Sequence, residues 1–186
     1  MTPLSFGIGN FATKSTPGDI GLALGYGRYF TFQYVFTDGT DLDHRTSIIT
    51  PSISGSVGFG ASANIAPYLY WAGDNTGTGF ESVYFDKTEI LNAFSPNAIV
   101  EIDCRCWWYG AQGTDPVIVR VSSYRGGSMV VDNFQWTNPT ATNSFVNFRT
   151  SPGKVISRLY ASPSGAERVA KFTFNFNNNT LSISSN

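Results

Sequence analysis

Residues 98–110 read AIVEIDCRCWWYG. Side chains on an extended chain alternate with a period of two. Val100, Ile102, Cys104, Cys106 and Trp108 therefore share one side, and Glu101, Asp103, Arg105 and Trp107 the other. One apolar and one mostly polar side predict a half-buried strand of an antiparallel sheet. The same period recurs before and after it. RYFTFQYVFT (28–37) puts Phe30, Phe32, Tyr34 and Phe36 on one face. PVIVRVSSYRGG (116–127) does so with Val117, Val119 and Val121, and ERVAKFTFNFNNNTLSIS (167–184) with Ala170, Phe172, Phe174 and Phe176. The Asn-rich turn in the last stretch predicts a hairpin into a short final strand.

SMVVDNFQW (128–136), SFVNFRTS (144–151) and KVISRLYASPS (154–164) also read as strands. Only DKTEILNAFSP (86–96) has helical spacing, and Pro96 stops it after a turn or two. About eight to ten strands with regular turn signals predict an all-β, antiparallel, jelly-roll-like β-sandwich with one short helix. Residues 1–27, rich in Gly, Ser, Thr and Pro, read as an N-terminal arm with one short strand near Ile20–Leu24. Residues 28–186 read as a single sandwich domain.

Composition narrows the function. Of 186 residues 41% are hydrophobic and 15% aromatic, but only 13% are charged, about half the usual share. That balance argues against disorder. It describes a surface of Ser, Thr, Asn and Gly, suited to packing against copies or partners. The net charge is −1 with no basic run, so the footprint of a nucleic-acid binder is missing. No apolar run reaches the 18 residues of a membrane span, and the N-terminus lacks the basic and apolar regions of a secretory signal. Cys104 and Cys106, two apart on one strand face, are not placed to bridge each other.

Two stretches gather oxygen ligands. TDGTDLDHRT (37–46) holds Asp38, Asp41 and Asp43, with Asp41 and Asp43 on one side if the chain is extended there. YLYWAGDNTGTGFESVYFD (68–86) holds Asp74, Asn75, Thr76 and Glu81 among glycines. Crowded carboxylates repel unless a cation or an arginine sits among them. Calcium takes six to eight oxygens from such groups. Asp-Gly and Asn-Thr-Gly are equally the residues of plain turns, so cage and turn both remain open.

The order DLD, GDNTGTG and then Glu81 resembles the TerD-type (tellurite-resistance) domain over about residues 38–109. That family is a calcium-binding β-sandwich. The resemblance implies Asp41, Asp43, Asp74, Asn75 and Glu81 as calcium ligands, with Gly77 and Gly79 shaping the loop. After DLD this chain has His44, Arg45 and Thr46 where the family has small residues, and Arg45 is a second way to neutralise the acids.

Other chemistry has little to stand on. His44 is the chain's one histidine, and no nucleophile elbow lies near it. The expectation is therefore a protein that is not an enzyme. The chain also resembles in style the small β-sandwich proteins of bacteriophage particles. It is expected to be a virion structural protein of tail, fibre or capsid decoration, made in the host cytoplasm. It would assemble with identical subunits and other virion proteins as a homo-oligomer. A free TerD-type stress protein and a carbohydrate-binding module are the alternatives, the latter with Trp71, Trp107, Trp108, Tyr109 and Tyr124 as a sugar platform.

Overall fold

The computed structural model describes residues 24–94, 98–150, 153–157 and 165–184. The alternating stretches become long strands: β1 (Tyr29–Phe36), β2 (Leu42–Ile49), β6 (Gly79–Asp86), β7 (Ile99–Trp108), β8 (Ile118–Arg125) and β12 (Glu167–Asn175). Shorter ones lie between and after them: β3 (Ser54–Gly58), β4 (Asn64–Ile65), β5 (Leu69–Trp71), β9 (Val130–Asp132), β10 (Gln135–Thr137), β11 (Asn143–Arg149) and β13 (Thr180–Ser184). Four of the short ones have only two or three residues, too few for a period to show, and so exceed the strands expected from sequence. Of residues 154–164, read as a strand, Lys154 makes one isolated bridge to Val117; 158–164 lie outside the described residues.

A six-stranded sheet runs β11-β8-β1-β6-β5-β4 and a five-stranded sheet runs β13-β12-β7-β2-β3. Their strand pairs are antiparallel. The inner faces meet through the predicted aromatic stripes. Phe30 packs on Phe174 at 5.4 Å between ring centroids, Phe32 on Phe172 at 5.3 Å, and Phe36 on Trp108 at 5.7 Å. Val100, Ile102, Cys104, Cys106 and Trp108 are all fully buried on β7. Burying a side chain of this size stabilises by roughly 1.5–3 kcal/mol, so the β1, β7 and β12 stripes make an all-β sandwich the favoured outcome.

The helix α1 (Lys87–Phe94) sits where expected. Asp86 caps it, its Oδ1 accepting from the Thr88 amide at 2.9 Å, and Ile90 fixes it to the core. Residues 1–23 of the expected arm, and Ile20–Ala23 of its strand, lie outside the described residues. At the described end, 24–26 are helical and Leu24 is buried in the core. In the β9–β10 hairpin Asn133 and Phe134 both have positive φ (46° and 60°), as a two-residue turn matched to strand twist requires.

Candidate metal centre

Three loops meet at one end of the sandwich. The Thr40 amide donates to Ala111 O (2.8 Å), the Tyr109 amide to Asp41 O (2.8 Å), and Thr78 Oγ1 to Gly39 O (2.8 Å). Residues 37–42, 72–79 and 109–115 are thereby tied together. Gly39 is required here: its φ is +74°, and a Cβ would lie 2.5 Å from the Gly113 amide nitrogen. Asp38 does not join the ligand group. Its carboxylate accepts from the Thr114 amide and hydroxyl and the Asp115 amide, which holds it below the usual carboxylate range.

Asp41, Asp43 and Asp74 come together, each with one carboxylate oxygen within 4.8 Å of the others. Two oxygens on one calcium ion, each at roughly 2.4 Å, lie at most about 4.8 Å apart, so this spacing is compatible with a shared ion. The convergence does not come from strand alternation. Asp41 precedes β2 with φ +61°, a left-handed conformation that Asp tolerates better than most residues, and this turn brings its carboxylate beside that of Asp43.

Asp43 is 1% exposed, and neither of its carboxylate oxygens has a hydrogen-bond partner; Asp74 Oδ1 is buried in the same state. Burial and then the charges of Asp74 and Asp41 push Asp43 up to about 7. The indole of Trp107, its cross-strand neighbour, offsets this slightly without completing a hydrogen bond. Asp41 is raised by burial and by Asp74. Two unit charges 4.8 Å apart repel by about 3 kcal/mol at an effective dielectric near 20. A cation placed among them removes that repulsion and supplies the missing partner of Asp43.

The arginine alternative fails in this geometry. The Arg45 guanidinium donates to the Phe59 carbonyl at 3.0 Å. Among the described residues no ion pair joins it to Asp41, Asp43 or Asp74. Arg45 lies opposite Gly58 in the β2–β3 register, which directs it toward the β3–β4 turn.

Glu81 stands beside the carboxylate group rather than in it, and Asn75 makes hydrogen bonds within its own loop. Asn75 closes its own loop: Nδ2 donates to Phe80 O and Oδ1 accepts from the Gly77 amide, both at 3.0 Å. Glu81 is fully buried, its Oε1 accepting from the Asn75 amide at 3.0 Å and its Oε2 lying 3.4 Å from His44 Nε2. Burial, with the charge of Asp74, holds Glu81 well above the usual carboxylate range, against the pull of the Asn75 amide. Burial pushes His44 down to about 3, so burial favours the neutral form of both groups. The sequence held a signal for this placement: Glu81 continues the inward positions of Val83 and Phe85, and His44 those of Leu42 and Ile48.

His44 stacks on Tyr34 at 4.6 Å and 14°, and Thr46 Oγ1 lies 3.1 Å from His44 Nδ1 and 2.7 Å from Tyr34 OH. Thr46→Val takes this partner from two buried polar groups, leaving Tyr34 OH only its contact with Cys104. It is expected to cost about 1–2 kcal/mol, read as a lowered urea midpoint with an unchanged slope.

Trp107 and Trp108 are buried and cannot form an exposed sugar platform; Tyr109 alone of the five is largely exposed. Trp107 was expected on the polar side, and it is there, yet only 1% exposed beside Asp43. No family model, curated protein or solved structure matches the chain.

Proposed function

We propose that the protein is a non-catalytic structural module that binds one calcium ion through Asp41, Asp43 and Asp74 and works by assembly. The observation that carries the ion is Asp43: a buried carboxylate, bare on both oxygens, facing two more acids. Hard oxygen donors without sulfur or imidazole favour calcium over transition metals. In this reading Asn75 and Glu81 build the loop, and the ion ties the 37–43 loop to the 72–79 loop. The TerD likeness agrees with the donor set and with the sandwich.

The non-catalytic half draws on His44, the only histidine, which is fully buried. Burial also raises both thiols, Cys104 to about 12, so neither is a ready nucleophile. The assembly half draws on the surface. Tyr26, Phe59, Tyr109 and Phe134 are exposed on a chain with few charges, and aromatic residues are enriched on surfaces that a partner covers. A bacteriophage particle, built from repeated copies of small β-sandwich proteins, is the setting this composition suits.

Isothermal titration with calcium is expected to show one site per chain. Sedimentation is expected to show a homo-oligomer. A monomer at all concentrations would remove the assembly half, and no heat of calcium binding would remove the ion.

A further inference from the structure

Glu81 belongs to the six-stranded sheet and His44 to the five-stranded one, yet they meet inside the core. Each adjoins the acidic group by a short path. His44 directly follows Asp43. Glu81 Oε1 holds the amide of Asn75, the residue directly after Asp74. The His44 ring is fixed by its stack on Tyr34, by an edge contact to Trp71 at 5.8 Å and by Thr46. Glu81 has no atom in the group of oxygens that lie within 4.8 Å of one another.

We propose that Glu81 and His44 are a buried positioning pair that sets the spacing of Asp43 and Asp74 from behind, Glu81 acting through the Asn75 backbone and not as an ion ligand. This rests on the reading of Asp41, Asp43 and Asp74 as a cation site. The chemistry is specific: one carboxyl oxygen faces the loop and is used as a hydrogen-bond acceptor, and the other faces imidazole. A glutamine keeps that acceptor; a methionine of similar length does not.

The test uses the full chain, with calcium titration and terbium luminescence excited through Trp107, the cross-strand neighbour of Asp43. Wild type comes first, and failure there to bind either ion sinks the cation reading before any variant is compared. Given binding, E81Q is expected to hold Kd within about threefold of wild type, because its amide oxygen still accepts from Asn75. E81M is expected to raise Kd at least about tenfold and also to lower the ion-free melting temperature, because the Asn75 amide and His44 lose their partner. A merely structural Glu81 would move the melting temperature and leave Kd alone. Wild-type Kd in E81M, or a loss in E81Q as deep as in D43N, overturns the proposal. Should E81M not fold, E81Q decides: retained affinity supports positioning, and lost affinity makes Glu81 a ligand.

Discussion

Millimolar calcium is expected to raise the melting temperature of the wild-type chain by about 5–10 °C and that of Asp43→Asn by less than about 1 °C. A ligand that binds only the folded state adds about 2.7 kcal/mol at a hundredfold excess over Kd. In a chain of this size each kcal/mol is worth about 2–4 °C. Asp43 is the buried member of the group and has both oxygens free for an ion, so its loss removes the ligand with least competition from water. Asparagine has the same size but no charge. Without calcium at pH 8 the variant is therefore expected to be more stable than wild type, by about 1–3 kcal/mol, because a buried amide costs less than a buried unpaired carboxylate. Scanning calorimetry with calcium and with chelator reads both effects. Equal calcium shifts in the two proteins would show that the ion, if bound, sits elsewhere.

Between pH 5 and 8 the ion-free chain is expected to lose stability as pH rises, while the calcium-loaded chain loses far less. Asp43 holds its proton up to about pH 7 when folded but only to about 4 when unfolded. The folded state therefore carries the extra proton in that window. The stability it contributes is complete below the unfolded value and gone above the folded one, a loss of at most about 4 kcal/mol. Asp41 is shifted in the same direction. The Glu81–His44 pair does not reverse the trend. Folded, it keeps one proton on neutral groups; unfolded, histidine holds one until about pH 6.5. It is level below that point and adds to the fall above it. Calcium needs the carboxylates deprotonated, so its binding strengthens over the same range. Melting curves at four pH values, with and without calcium, would thus converge at low pH and spread at high pH. An ion-free curve that climbs to pH 8 would contradict the burial of an unpaired Asp43.

The sandwich itself was legible in the chain, because a period of two is a local property. The β1, β7 and β12 stripes needed no partner to be recognised, and the only stable place for four aromatic or apolar side chains in a row is against another such row. The helix was legible for the same reason, from a short apolar spacing and a proline. The three aspartates could be named as candidate ligands from their chemistry and order. What the sequence could not hold was distance. Asp74 lies 31 positions after Asp43, and only the joined loops bring their oxygens within one ion's reach. Arg45 and Glu81 make the same point in opposite directions. Both had the chemistry for the site. Strand register turned one away to Phe59 and placed the other behind the loop, against His44. The alternation of apolar and polar residues determined that this chain folds into two apolar-faced sheets. Which carboxylates are left without a partner was decided by the packing of those sheets, since burial and the absence of a hydrogen bond are properties of a neighbourhood and not of a residue.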